Sequence, residues 1–278
     1  MFRYYINCEQ WNPTRDQWIY ATRCIASTEV ERIDRFMFKR DAKFALAGQL
    51  LIRYLLSKAL QGPSSSFVIQ RTQYGRPYVD HQPEFDFNLS HHYHLVCIAG
   101  TFEGRVGCDT MEYQVNQNPR EPIESTTNLL RREFASDEYD FILRKSNDEK
   151  KRFRHFYRIW GLKESYVKWL GVGIGFTLAR MNFRVQTDEF NSNDRQQVLA
   201  DTLLELDQRP LDEKLRFDEQ IIYLPNNEQQ IITLCGSEKN PCQPFVELTI
   251  EEILNGCTPL LDNEQGNEKW WINFDKKK

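Results

Sequence analysis

The sequence predicts an α+β protein built as a duplicated fold, two similar halves with a functional site between them. Three observations lead there. At 278 residues the chain exceeds the commonest single-domain size, so two compact units of similar size are expected. A helix-then-strand order of periodicities occurs twice along it. Finally, Gln230-Ile231-Ile232-Thr233-Leu234-Cys235-Gly236 echoes His94-Leu95-Val96-Cys97-Ile98-Ala99-Gly100. The echo alone is weak, because short apolar strands ending in glycine are common. The division is placed at residues 1–105 for the first half and 106–278 for the second, which also carries surface insertions and a C-terminal tail.

After a short strand-like start, Glu29 to Leu60 reads as one or two helices, with Phe36, Phe44, Leu46, Leu50, Leu51, Tyr54 and Leu55 as the apolar face. Gln61-Gly62-Pro63 and a run of serines end it. A strand begins at Phe67-Val68-Ile69, and Tyr74-Gly75-Arg76-Pro77 is a turn. Phe85 to Leu89 alternates like a strand edge, Leu95 to Ala99 is a fully apolar strand, and Gly104 to Asp109 begins another. In the second half, helices are expected around Thr127 to Leu143 and over Arg152 to Leu170, ended by Gly171-Val172-Gly173-Ile174-Gly175, with a strand over Phe176 to Val185. Tyr113 to Glu124 and Asn191 to Asp218 read as polar surface insertions. Trp270-Trp271 is expected to pack back on the body and Lys276-Lys277-Lys278 to be disordered.

Composition narrows the function classes. The chain is 40% hydrophobic and 27% charged, ordinary for a folded protein. Its formal charge of −4 disfavours a general nucleic-acid binder, although 36 Lys and Arg leave room for local basic patches. The seven cysteines are scattered, with no C-x-x-C pair, which favours reduced thiols and a cytoplasmic setting. No apolar run approaches a membrane span, and the N-terminus lacks the apolar core of a signal peptide.

One stretch carries an anomaly. Phe153, Phe156, Tyr157, Trp160, Val167 and Gly171 follow the spacing of a buried helical stripe, and Glu164 falls on that stripe with Lys168 one turn later. A carboxylate there calls for a cation, a metal or strong donors. The plainer alternative is a Glu–Lys pair on an exposed face. Asp109 stands where an apolar strand meets a polar segment. It either caps a turn or, facing Glu164, completes a two-carboxylate Mg²⁺ site that leans on substrate phosphates.

Candidate phosphate binders lie in the first half. Phe87-Asn88-Leu89-Ser90-His91-His92-Tyr93-His94 crowds three histidines between strands. A zinc site is disfavoured, since adjacent strand residues point to opposite faces and no further ligand has the usual spacing. A binding turn in which Ser90 and His91 contact a phosphate is favoured over a plain exposed turn. Arg71 and Arg76 flank a tight turn, and Arg40 and Lys43 add charge on the long helix. Each alone reads more readily as a solvated residue. Together, three basic or hydroxyl clusters and two candidate metal ligands suit a polyphosphate held between halves.

These residues carry a family resemblance. Val106-Gly107-Cys108-Asp109 and Trp160…Lys163-Glu164-Ser165…Lys168 resemble the two signature motifs of Sfp-type 4'-phosphopantetheinyl transferases. Phe38-Lys39-Arg40-Asp41-Ala42-Lys43, Gln70-Arg71-Thr72…Gly75-Arg76-Pro77, Phe87-Asn88-Leu89-Ser90-His91 and Gly171-Val172-Gly173-Ile174-Gly175-Phe176 resemble its animal branch. The resemblance implies a monomeric pseudo-dimer with coenzyme A in the cleft between halves. It implies coenzyme A contacts from Arg40, from Arg71, Thr72, Gln73, Tyr74, Gly75 and Arg76, from Asn88, Leu89, Ser90 and His91, and from Lys168. Mg²⁺ is implied at Asp109 and Glu164. One departure is Met111, where many members carry a third acidic residue. Glu112, next along, is expected to point to the other face.

The expected reaction moves the 4'-phosphopantetheine arm of coenzyme A to a serine of an apo acyl carrier protein, fatty-acid synthase carrier domains included. Asp109, Glu164 and Lys168 are the catalytic candidates, Glu164 taking the serine proton and Lys168 assisting the leaving phosphate; His92 is a lesser base candidate. Tyr113 to Leu143 is expected to border the cleft and read the carrier. A Mg²⁺-dependent nucleotide pyrophosphate hydrolase and a non-catalytic binding module are the alternatives. Neither a nucleic acid nor a membrane is an expected partner.

Overall fold

The computed structural model describes residues 1–114, 122–211, 214–260 and 268–278. The chain starts with β1 (Phe2–Asn7), then α1 (Arg15–Arg23), α2 (Ser27–Asp34) and α3 (Lys39–Ala59). A hairpin of β2 (Ile69–Arg71) and β3 (Pro77–Val79) precedes β4 (Asp86–His92) and β5 (Leu95–Thr101). The second half runs through β6 (Val106–Gln114), α4 (Ile123–Leu129), α5 (Ser136–Arg144), α6 (Glu149–Leu170), β7 (Met181–Arg184), β8 (Val198–Leu206), β9 (Arg209–Pro210), β10 (Leu215–Tyr223) and β11 (Gln229–Ser237). It closes with β12 (Val246–Glu247), α7 (Ile250–Asn255) and α8 (Glu268–Asp275). The architecture is α+β.

Two sheets share one connection order. The first runs β12-β1-β5-β4 and the second β6-β11-β10-β8-β7. In each, the opening strand pairs antiparallel with the closing strand, which pairs antiparallel with the strand just before it. The long helices α3 and α6 pack against β5 and β6 respectively. The echoed segments are therefore equivalent strands, β5 and β11. Each sheet packs its own core: α3 and its neighbours cover the first, while Ile159, Leu162 and Tyr166 of α6 cover the second. A third apolar cluster, including Leu95, Cys97, Val106, Cys108, Ile232 and Leu234, joins the sheets.

At that junction β4 and β6 are linked by side-chain bonds. Asn88 Oδ1 accepts from Cys108 N at 2.9 Å, and Asp86 Oδ2 accepts from Val106 N at 2.8 Å. Gly107 permits the closest contact. A Cβ there would lie 2.1 Å from Ser165 O and 2.4 Å from Trp169 N, so only glycine lets β6 lie against the α6 backbone. Gly171 ends α6 in the left-handed conformation, φ 72°, which explains the glycine at that position.

Several expectations are corrected. The helix expected around Thr127 to Leu143 is two short helices, α4 and α5, separated by a 3₁₀ turn at Arg131–Glu133. The strand expected from Phe176 shrinks to β7, because Leu178–Arg180 winds into a 3₁₀ turn first. Asn191 to Asp218 is no insertion: it contains β8, β9 and the start of β10. Its polarity misled because most of its charges among the described residues are exposed, while Asp218 at its end, and Glu219 just beyond it, are paired inside. Arg158 and Glu219, both fully buried, meet at 2.5 Å, and Arg3 meets Asp218 at 2.5 Å across the two sheets. Of the other expected insertion, Tyr113 belongs to β6, while residues 115–121 lie outside the described residues.

The tail is also corrected. Trp270 and Trp271 pack on the first core as expected. The lysines are held rather than loose: Lys277 Nζ donates to Asp34 O and Phe36 O at 2.7 and 2.8 Å, and Lys39 N donates to Lys278 O at 2.8 Å. Strand β12 pairs parallel with β1. Residues after β11 thus return to the first half, whose core is built from both ends of the chain.

Candidate active site

A cleft of about 1240 Å³ opens between the halves, walled by α3, the β2–β3 hairpin and β4 on one side and by α6 and its glycine-rich exit on the other. The floor is set by Gly107. Because β6 touches the α6 backbone there, Asp109, two residues on and on the same face, reaches the last turns of α6. Asp109 is 3% exposed. Its Oδ1 accepts from Ser90 Oγ at 2.8 Å and from Lys168 Nζ at 2.5 Å, and Lys168 also donates to Ser90 Oγ at 2.8 Å. Burial pushes the Lys168 ammonium down, but the Asp109 carboxylate beside it outweighs that and holds it above the ordinary lysine value. Lys168 therefore enters the cleft charged.

Glu164 stands one turn before Lys168 on the cleft wall with Trp160 and Val167. Trp160, Val167 and Gly171 of the apolar stripe line the cleft with it, while Phe156 of the same stripe packs into the second core beside Leu162 and Tyr166. Burial first, and then the Asp109 charge, raise the Glu164 carboxyl above its ordinary value. Asp109 Oδ2 is buried with no hydrogen-bond partner among the described residues. A buried, unsatisfied carboxylate oxygen next to a second carboxylate is what a hard cation relieves. The donor set fits Mg²⁺, which is held by one or two carboxylates and takes its remaining oxygens from water and substrate phosphates. Met111 supplies no oxygen.

The rim carries the predicted basic groups. Arg40 donates to Tyr93 O at 2.5 Å and lies 5.5 Å from the Phe44 ring, leaving part of its fork toward the cleft. Arg71 donates to Gly75 O at 3.1 Å and to Glu29 Oε1 at 3.0 Å. Tyr74 and Gly75 line the cleft, with Gly75 at φ 82°. Thr72 Oγ1 accepts from Tyr74 N and Arg76 N at 3.3 and 3.2 Å and so shapes the turn; Gln73 is exposed at its tip. Arg76 lines the cleft, but its guanidinium is committed to the join between halves. It bonds Asp86 Oδ2 at 2.5 Å, Val106 O at 2.8 Å, Phe87 O at 3.2 Å and also Lys168 O.

From β4, Asn88, Leu89 and His91 border the cleft, while Ser90 lies beneath it. His91 is lowered from the ordinary histidine value by desolvation against the cleft wall and then by the Lys168 charge. The three histidines diverge. His92 turns to Glu112 at 3.9 Å, and His94 sits between Glu9 at 3.4 Å and Glu228 at 3.2 Å. Glu112 therefore faces His92, and its carboxyl is raised by burial and by Glu228.

Two features escaped the sequence. Arg32, Phe36 and Glu133 line the cleft, and Arg32 pairs with Glu29 at a three-residue spacing common on helix surfaces, which gives no sequence signal of a site. Lys163 is fully buried against Glu138 at 2.7 Å and donates to Leu178 O and Met181 O at 2.9 and 3.0 Å. This pins α6 to α5 and to the chain that leaves the glycine-rich exit.

Comparison with known proteins gives the family. A profile described as "4'-phosphopantetheinyl transferase, N-terminal" matches residues 9–103, and one described as "4'-phosphopantetheinyl transferase superfamily" matches residues 105–235. An L-aminoadipate-semialdehyde dehydrogenase-phosphopantetheinyl transferase of Xenopus laevis is 31% identical over 290 residues, covering 99% of this chain and 92% of that protein. The protein of the same name from Mus musculus is 38% identical over 210 residues, covering 74% and 66%. The 4'-phosphopantetheinyl transferase Sfp of Bacillus subtilis is 29% identical over 164 residues, covering 59% and 68%. The chain belongs to the 4'-phosphopantetheinyl transferase superfamily and is an enzyme of that class. Within it, the resemblance is to the animal proteins.

Proposed function

We propose that the cleft binds coenzyme A together with Mg²⁺ and transfers its 4'-phosphopantetheine arm to a serine hydroxyl of an apo acyl carrier protein, releasing adenosine 3',5'-bisphosphate. The observation that carries this reading is the buried, unsatisfied Asp109 Oδ2 beneath a cleft lined by Glu164 and Lys168, whose charges it adjoins. Asp109 and Glu164 would hold Mg²⁺, which supplies charge neutralisation at the pyrophosphate. Arg40, Arg71, the hairpin turn and His91 hold the nucleotide end from the rim. Ser90 fixes Asp109 and Lys168 from below.

In the reaction, the carrier serine oxygen attacks the phosphorus that bears the pantetheine. Its proton passes to the Glu164 carboxylate, whose raised affinity suits a general base. The bond from that phosphorus to the bridging oxygen breaks, and the charge that appears on the departing bisphosphate lies beside the Lys168 ammonium. Fixing both substrates in line contributes in its own right.

The shared strand order supports a pseudo-dimer of two duplicated halves acting as a monomer with the active site between them. Acceptors in this reading are carrier domains such as those of fatty-acid synthase, met in the cytoplasm. Leu130 and Glu133 line the cleft, which supports a carrier-facing role for the described part of Tyr113 to Leu143. Product analysis tests the reading. Adenosine 3',5'-bisphosphate should appear from coenzyme A and Mg²⁺ only when apo carrier is added. Equal release without carrier would show hydrolysis instead.

A further inference from the structure

Lys163 belongs to the motif that carries Glu164 and Lys168, yet the reaction gives it no task. Its side chain is fully buried and takes no part in the cleft surface. All three ammonium protons have acceptors: Glu138 Oε2 at 2.7 Å, Leu178 O at 2.9 Å and Met181 O at 3.0 Å. Glu138, also fully buried, is equally committed. Its Oε2 accepts from Ala135 N and its Oε1 from Phe183 N, each at 2.9 Å. One ion pair therefore joins α6, the start of α5, the Leu178–Arg180 turn and β7.

Stability does not account for such a pair. Taking two charges out of water costs as much as their attraction returns, and apolar side chains of similar volume are often neutral or stabilising replacements. What apolar chains cannot do is hold carbonyls and amides at fixed positions. The groups held here border the cleft. Leu178 lines it, and the Leu178–Arg180 turn packs against the Arg131–Glu133 turn, from which Glu133 lines it too. Phe134, between that turn and Ala135, lies 5.9 Å from Lys163 Nζ, and its ring centroid is 6.0 Å from that of Trp160. Trp160 lines the cleft one turn before Glu164. The rim groups assigned to the nucleotide end lie on the first-half side, so this second-half wall faces the arm and the acceptor.

We infer that Lys163 and Glu138 are positioning residues: their buried pair fixes the wall made by Leu130, Glu133 and Leu178, and so sets how the carrier serine approaches the reacting phosphorus. The inference rests on the cleft carrying out phosphopantetheine transfer. Neither residue touches a substrate. A wall displaced by about 1 Å misaligns the attacking oxygen, which lowers the rate by roughly 10²-fold. The nucleotide end, gripped from the other side of the cleft, keeps its affinity.

The test removes the pair without leaving a lone charge. In the double variant Glu138→Leu, Lys163→Met both charges go and apolar volume stays, so the circular dichroism spectrum and melting temperature should stay close to wild type. Transfer to apo acyl carrier protein should fall about 10- to 10²-fold in kcat/KM for the carrier. Calorimetric titration with adenosine 3',5'-bisphosphate should return the wild-type affinity. Glu138→Gln, which keeps the size and loses the charge, should show the same split to a smaller degree, and it carries the test if the double variant does not fold. Carrier kinetics indistinguishable from wild type in a folded variant, or a parallel loss of bisphosphate affinity, overturns the assignment. Wild-type transfer decides the parent reading separately, since an enzyme that transfers normally can still show no effect of the double substitution.

Discussion

At the scale of single residues, Glu164 is held in an unfavourable state that function explains. Its carboxyl is raised by burial and by Asp109, so its favourable contribution to folding is present below the ordinary carboxylate value and is lost as pH rises through the raised value. At neutral pH the charged group therefore destabilises the metal-free protein. Glu164→Gln should raise the melting temperature of the metal-free enzyme at pH 7.5 while lowering turnover by about 10²–10⁴-fold, the usual worth of a general base. Scanning calorimetry and a transfer assay on one preparation read both, and a variant that loses stability with activity would contradict the assignment. His155 gives the pH dependence an opposite sign. It is 5% exposed, its Nδ1 lies 3.1 Å from Phe141 O, and burial lowers it from the ordinary histidine value. Its contribution is full above pH ~6.5 and lost as pH falls through the lowered value. The decline in melting temperature from pH 7 to 5 should therefore be shallower in His155→Gln than in wild type; an unchanged slope would rule out His155 as a source.

At the scale of elements, the sequence named the ends of the active-site strands and helices better than it named what holds them. Asp109, Glu164 and Lys168 were legible because a carboxylate on a helical stripe and one at a strand end break the apolar pattern. The role of Gly107 was not, because no local rule says that β6 must lie against α6. A Cβ at Gly107 would meet backbone atoms of α6 at 2.1 and 2.4 Å. Backbone cannot rotate aside as a side chain can. Gly107→Ala should therefore push β6 off α6, separate Asp109 from Lys168 and abolish the soluble folded enzyme or its turnover. Circular dichroism and activity of the purified variant check this; a fully active Gly107→Ala would show that the two elements need not touch. Lys163 and Glu138 were hidden for a related reason: a lysine beside the motif glutamate reads as surface charge until the fold buries it against Glu138.

At the scale of the whole molecule, the duplicated order was readable because each half keeps a long amphipathic helix followed by its closing apolar strand. Polarity hid the rest. The segment containing β8 and β9 looked like an insertion because exposed polar residues dominate it, and Asp218 and Glu219 on the strand that follows find their cations on β1 and α6, which no local pattern reveals. The terminal lysines looked loose, yet Lys277 closes on carbonyls at the α2–α3 corner, beside Phe36 and near Arg40 in the cleft wall. Both ends of the chain thereby support one side of the site. Transfer to a carrier serine is the central claim. Apo acyl carrier protein, coenzyme A and Mg²⁺ incubated with the enzyme should yield a carrier heavier by one phosphopantetheine arm in the intact-mass spectrum, with the gain abolished by Glu164→Gln. No mass gain across several different carriers, or an undiminished gain with Glu164→Gln, would contradict it.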